Sequence, residues 1–139
     1  MIPHPFLRAY MAGVAVPSVI LLFPFAAFCI VRFVYNADFP VERVLMFPLA
    51  LVPAIWGLWN MAYLALHHRF GRHYSLGLHG ALVPLILMPI AVLVFHALDF
   101  QVPFGLPRVL LVAAPLMIIL YYLFWKYVVA FLNETLGVA

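Results

Sequence analysis

Four apolar windows of about 20 residues each are the feature that most constrains what this chain can fold into. They cover approximately residues 10–31, 44–66, 78–98 and 109–132. A helix of about 20 residues crosses the roughly 30 Å hydrocarbon core of a bilayer, and backbone groups in lipid must be hydrogen-bonded within the protein. The connections are short, so neighbouring spans must run antiparallel. The sequence therefore predicts an all-α integral membrane protein, a four-transmembrane-helix up-down bundle that forms a single transmembrane domain over residues 1–139.

The composition excludes a water-soluble domain. Hydrophobic residues make up 69% of the chain and charged residues 8%, whereas soluble domains average about 25% charged residues. So few charges cannot cover a globular surface, and the remaining apolar area must face lipid or other membrane subunits. Prolines interrupt every window, among them Pro24, Pro53, Pro84 and Pro115, and they predict kinked spans.

The two halves of the chain share short sequence patterns. R-x-Y-x-x-G begins at Arg8 and recurs at Arg72, and D-F-x-V begins at Asp38 and recurs at Asp99. Each half holds two windows, so the pattern predicts a duplicated helical hairpin whose copies share one orientation. Chance matching in so biased a composition is the alternative explanation.

The distribution of Lys and Arg predicts the orientation in the membrane. One side of the predicted bundle carries four of these residues and the other three, and most of the histidines lie on the first side. Both termini and the histidine-rich loop are therefore expected on the cytoplasmic side of a bacterial inner membrane. Trp56, Trp59 and Trp125 fall near that end of their spans and predict an interfacial aromatic belt. The four residues on the cytoplasmic side are Arg8, Arg69, Arg72 and Lys126.

A stripe of polar and aromatic residues along the second window is the best candidate for a binding site. Its members are spaced at i, i+4, i+7 and i+11, which places them on one helical face. Asn and His are costly against hydrocarbon, so this face should point into the bundle or towards a partner. His79 opens the third window and is expected close to the end of the stripe. The candidate cofactor-binding residues are Asn60, Tyr63, His67 and His79, with Trp56 at the start of the stripe.

Three kinds of ligand are compatible with these residues. A b-type haem needs two axial histidines from different helices, and His67 (or His68) with His79 could supply them. A quinone or a pigment between the second and third spans is the related alternative. His68 and His73 have the HxxxxH spacing that resembles membrane di-iron desaturases and hydroxylases. The further histidine clusters of those enzymes are missing here, so the family is not assigned. A mononuclear zinc or copper site from three histidines is the remaining alternative, and it is disfavoured because the two neighbouring arginines would repel a cation.

The loop between the second and third windows is positively charged and is expected to bind anions. Arg69 and Arg72, with partly protonated His68 and His73, would contact lipid phosphates or the carboxylates of a partner. Bound lipid is therefore expected. The simpler interpretation is a solvated loop that is basic only because of its cytoplasmic position.

The sequence offers no catalytic constellation. Ser18 lies in a span without a histidine or an acid nearby, and all four Asp and Glu residues lie in connections or in the C-terminal tail. Ion-coupled transporters normally carry an acid deep in a span. Nucleic-acid binding is not expected either, because the net charge of +3 is spread over both membrane faces.

The sequence thus predicts a small, non-catalytic polytopic subunit that packs with other membrane subunits in a larger inner-membrane complex. Energy-transducing complexes are natural hosts, by analogy with the many small subunits they contain. The first alternative is a membrane redox protein that binds haem, quinone or pigment through His67 and His79. The second is a small dimeric transporter, for which Asn60 and Lys126 are the most deeply placed strongly polar groups.

Overall fold

The computed structural model describes residues 4–36, 49–70, 75–97 and 106–138, and within these ranges it contains helices and no strands. This confirms the prediction of an all-helical chain. A short 3-10 turn, Leu49–Leu51, precedes α3, and a π-helical segment, Phe124–Val129, joins α5 to α6. The α-helices are α1 (Pro5–Ile20), α2 (Leu22–Phe33), α3 (Val52–Phe70), α4 (Leu76–Ala97), α5 (Leu106–Leu123) and α6 (Ala130–Thr135).

Proline affects the helices unequally. The first apolar window contains both α1 and α2, which are separated at Leu21. Pro24 has no N–H to donate to the carbonyl of Ile20, so the α-helical hydrogen-bond ladder cannot continue there. In contrast, α4 and α5 continue through Pro84, Pro89 and Pro115. Among the described residues, the missing donor thus coincides with a helix break at Leu21 but not within α4 or α5.

Helices α1 and α3 form the first helix pair, and they touch through their backbones. A Cβ atom added to Gly13 would lie 2.5 Å from the Trp56 carbonyl oxygen and 2.8 Å from the Gly57 Cα. A Cβ added to Gly57 would in turn lie 2.6 Å from the Tyr10 ring. Glycine at both positions is what permits this close approach. The pair is antiparallel, because residue 60 of α3 reaches Ala9 while Trp56 lies against Gly13.

The second helix pair has two members. One is α4, and the other is the continuous helix that α5 and the π-helical segment form together. Here glycines of α4 accommodate aromatic side chains. A Cβ on Gly80 would lie 2.0 Å from Trp125 Cγ, and a Cβ on Gly77 would lie 2.9 Å from Tyr122 Cε2. The start of α4 thus lies beside the end of α5, while Leu85, further along α4, lines a cavity together with Ile118, so this pair is antiparallel as well.

The two pairs meet in a small core of buried side chains. The core takes Val16 from α1, Trp56 from α3 and Val83 from α4, and it is completed by Trp125 and Val129 of the π-helical segment. Contributions from both pairs bury apolar surface that neither pair could bury alone.

The outer surface of the bundle is strongly apolar. Pro5–Phe33 and Leu111–Thr135 are helical segments long and apolar enough to cross a bilayer, and only 11% of the apolar window in each is buried. The core helix of a soluble protein would be mostly buried. Leu76–Ile90 is a shorter apolar helix.

Candidate functional site

Two buried asparagines tie three helices together. Asn60 Nδ2 donates to the Ala9 carbonyl and to Asn133 Oδ1, both at 2.7 Å, and Asn133 Nδ2 donates to Asn60 Oδ1 at 3.2 Å. Asn60 is 0% exposed and Asn133 is 2% exposed. Burying an amide without a partner costs free energy, and this pairing avoids that cost. Asn60 therefore joins α1, α3 and α6.

Asn133 was not predicted as part of the site. It lies close to the tail, where sequence reasoning places polar residues outside the membrane. An asparagine within the last turns of an apolar helix was the available signal, but its partner could not be identified before the packing was known.

His79 and Trp59 connect the two helix pairs through reciprocal hydrogen bonds. His79 Nε2 donates to the Trp59 carbonyl at 2.8 Å, and Trp59 Nε1 donates to the His79 carbonyl at 2.9 Å. A carbonyl only accepts, so the proton is assigned to Nε2. The two rings are stacked with centroids 4.8 Å apart, and His79 is 1% exposed.

Tyr63 contacts both histidines of the predicted pair. Its hydroxyl is 3.4 Å from His67 Nδ1, and its ring centroid is 5.4 Å from that of His79. The structure therefore brings Asn60, Tyr63, His67 and His79 to one end of the bundle. A ligand role for these four residues stays a prediction.

This arrangement does not fit a haem held between His67 and His79. An axial histidine needs a ring nitrogen directed at the iron. His79 instead uses Nε2 to hold the Trp59 backbone, and the ring of Tyr63 contacts the rings of both histidines.

The structure describes only part of the basic loop. His68 and Arg69 are exposed at the end of α3, whereas Arg72 and His73 lie outside the described residues. Within the described ranges no three His, Cys, Asp or Glu residues come together in a way that could hold a metal ion.

A chain of aromatic contacts runs from the histidine end into the core. Trp56 Nε1 donates to the Tyr121 hydroxyl at 3.3 Å, and the Trp56 and Trp125 ring centroids are 5.4 Å apart. Trp125 also lies edge-on to His79, at 5.8 Å. Trp56 is 3% exposed and Trp125 is 0% exposed. The prediction of an interfacial belt is therefore wrong for these two tryptophans, because neighbouring glycines and the facing helix pair draw their rings into the core.

The π-helical segment explains where Trp125 and Lys126 lie. A π-helix holds an extra residue in each turn, which changes the faces that successive side chains occupy. Trp125 points inward against Gly80, and its indole Nε1 has no hydrogen-bond partner among the described residues. Lys126 is exposed, with Nζ 5.5 Å from the Tyr122 ring centroid and 5.3 Å from that of Tyr127. Lys126 thus lies on the outside of the bundle, whereas Asn60 is buried inside it.

An apolar cavity of about 390 Å³ lies between the break in the first helical window, α3 and α5. We refer to it as the Trp56 cleft. Trp56 and Tyr121, which are joined by the hydrogen bond from the indole N–H to the hydroxyl, both line it. The lining residues are Pro17, Ile20, Leu21, Pro24, Val52, Trp56, Met117, Leu120, Tyr121 and Phe124.

Comparison with protein-family models, curated proteins and solved structures gives no match to this chain. Its function must therefore be inferred from its own geometry.

Proposed function

We propose that this protein is a small, non-catalytic subunit that crosses a bacterial inner membrane four times and packs with other membrane subunits in a larger complex. One observation carries this proposal: large apolar side chains cover the outside of the helices, while Asn60, His79 and Asn133 are buried and hydrogen-bonded inside. Soluble monomers rarely expose contiguous apolar patches larger than a few hundred Å².

The helix arrangement supports four crossings. Two segments are long and apolar enough to span a bilayer, and the antiparallel contacts of both helix pairs agree with chain direction alternating between spans. The end of the bundle that holds the histidines also carries basic residues, namely Arg8, exposed Arg69 and exposed Lys126. The positive-inside rule then favours that end, with both termini, on the cytoplasmic side.

The most exposed apolar residues favour contact with partner subunits as well as with lipid. Phe23 is 73% exposed, Phe33 76% and Leu111 80%. Aromatic residues are enriched in the buried centres of protein interfaces. An energy-transducing complex is the proposed host by analogy only.

Photo-crosslinking in native membranes tests the partnership. A photoreactive amino acid in place of Phe23 should yield a discrete crosslinked product with another membrane protein. The matched control places it at buried Val83, which is 1% exposed, and should yield no intermolecular product. The proposal fails if the chain purifies from gentle detergent as a stable monomer and Phe23 gives only lipid adducts.

Thiol labelling tests the topology. In a Cys29→Ala background, Tyr35→Cys should react with a membrane-impermeant maleimide added to intact cells, because Tyr35 is 74% exposed at the end of the bundle remote from the histidines. Arg69→Cys should react only after the cells are opened. The reverse labelling pattern would invert the proposed orientation.

A further inference from the structure

The Trp56 cleft has the size and lining of a small-molecule site. Ligand pockets usually enclose about 300–1,000 Å³ and are mostly apolar with a few placed polar groups. The cleft, at about 390 Å³, lies at the lower end of this range. Ile20 and Leu120 line it and are each 38% exposed. The cleft is therefore reachable from the surrounding apolar phase.

The hydroxyl of Tyr121, a residue that lines the cleft, can donate one further hydrogen bond. The Tyr121 hydroxyl accepts from Trp56 Nε1 at 3.3 Å, which leaves its own proton to donate. No described residue accepts that proton. A hydroxyl in apolar surroundings is stabilised by an acceptor, and a carbonyl oxygen of a ligand would be a suitable one.

The depth of Tyr121 limits which carbonyl compounds can reach it. Tyr121 lies near the middle of the continuous helical segment that begins at Leu106 and ends at Thr135, about 21–23 Å from either end at 1.5 Å per residue. In the membrane placement proposed above, this is close to the centre of the bilayer. Phospholipid ester carbonyls lie near the headgroups, at the edge of the roughly 30 Å hydrocarbon core. The acceptor must therefore belong to a neutral molecule that dissolves in the centre.

The walls of the cleft favour a flat ring. Trp56, Tyr121 and Phe124 all line it, and aromatic rings pack favourably against one another in stacked or edge-on arrangements. Quinones combine a flat ring, carbonyl acceptors, no net charge and solubility in the bilayer centre.

We propose that the Trp56 cleft binds a membrane-dissolved quinone, whose carbonyl oxygen accepts a hydrogen bond from the Tyr121 hydroxyl. The choice of a quinone over a phospholipid rests on the proposed membrane placement. The site is distinct from the His67 and His79 cluster, and it involves neither histidine.

Binding is measured on the chain purified in detergent, with a decyl-substituted benzoquinone as the probe and decylbenzene as its carbonyl-free counterpart. Quinones quench tryptophan fluorescence on contact, so saturable quenching reports occupancy next to Trp56. Tyr121→Phe should weaken quinone binding about fivefold, the effect expected from loss of one neutral hydrogen bond. Tyr127→Phe, on the same helical segment and 60% exposed, is the matched control and should not change it.

A second variant removes the space instead of the donor. Leu120→Trp should fill the cleft and weaken quinone binding at least tenfold, whereas Leu116→Trp should leave it unchanged, because Leu116 is exposed and does not line the cleft. This pair remains informative if Tyr121→Phe disturbs folding by leaving the Trp56 indole without its acceptor.

Equal affinity for the quinone and decylbenzene would overturn the proposal, as would unchanged binding in Leu120→Trp. Displacement of the quinone by phospholipid at equal concentration would also overturn it, in favour of a lipid site. These outcomes are separate from those of the proposed function, because they need neither a partner subunit nor a membrane. Crosslinking to another subunit can succeed while quinone binding fails, and the reverse also holds.

Discussion

Gly13 in the first helix pair and Gly77 in the second make different kinds of contact. In the first pair, Gly13 of α1 faces the backbone of α3 at Trp56 and Gly57. In the second pair, Gly77 and Gly80 of α4 face the side chains of Tyr122 and Trp125. The Gly13 contact brings two backbones together, while Gly77 and Gly80, like Gly57 of the first pair, make room for aromatic rings. A backbone cannot move aside without moving its helix, whereas the edge of a ring can often rotate away, so Gly13 and Gly77 should respond differently to the same added methyl group.

Gly13→Ala should have a larger effect than Gly77→Ala, because the added Cβ would lie 2.5 Å from a backbone carbonyl oxygen. We expect a loss of about 3 kcal/mol in the free energy of unfolding, the upper part of the usual range for overpacking. Gly77→Ala is the matched comparison, with about 1 kcal/mol expected, since its nearest neighbour is the Tyr122 ring edge. Unfolding by a denaturing detergent measures both. Equal losses would remove the distinction between the pairs.

The asparagine contact between the pairs should rank second. Asn133→Leu leaves the Asn60 amide without one of its partners in a buried site, and we expect a loss of about 2 kcal/mol. Replacing both Asn60 and Asn133 with leucine should cost less than the sum of the two single changes, because the double variant leaves no unpaired side-chain amide. Strict additivity in a double-mutant cycle would show that the amides do not stabilise each other.

The His79 contact with Trp59 should have a smaller effect. His79→Phe keeps a ring of similar shape but removes the donor to the Trp59 carbonyl, and the expected loss is about 1 kcal/mol. His67→Phe serves as the control, because its hydrogen bond to Tyr63 is long, at 3.4 Å. A larger loss for His67 than for His79 would indicate that the histidine end is held together by contacts other than these.

Of the four contacts considered, the one made by Arg8 should contribute least to the free energy of unfolding. Its guanidinium Nη1 donates to the Leu136 carbonyl at 3.1 Å and links the start of α1 to the chain just after α6. Arg8→Gln should cost about 0.5 kcal/mol, the low end for a hydrogen bond in a partly solvated position. Earlier proteolysis of the C-terminal residues would report the loosening. Arg69→Gln, at an exposed arginine, should leave the cleavage pattern unchanged.

The contacts of Gly13 and Gly77 bear on the predicted sequence repeat but do not test it. The R-x-Y-x-x-G pattern aligns Gly13 with Gly77, and both glycines lie at a contact between antiparallel helices. Arg72 and Tyr74, which complete the second copy, lie outside the described residues. The duplicated hairpin stays a prediction.

Sequence alone was sufficient to predict the helices and the inward face of α3. Apolar windows of about 20 residues predicted helices in all four places, and helical spacing placed Trp56 and Asn60 on the same face, which the structure buries. These inferences succeed because hydrophobicity and a period of 3.6 residues are local properties of the chain.

Only the tertiary structure showed which groups meet. Asn133 pairs with Asn60 across 73 residues of sequence, and His79 binds the backbone of Trp59 and not a neighbouring histidine. The π-helical segment that turns Trp125 into the core carries no local signature, and the Trp56 cleft draws its wall from three separate parts of the chain. Contacts between distant residues depend on the shapes of both partners and on how closely their helices approach. The hydrophobic pattern of one helix specifies neither the shape of its partner nor the distance between the two helices.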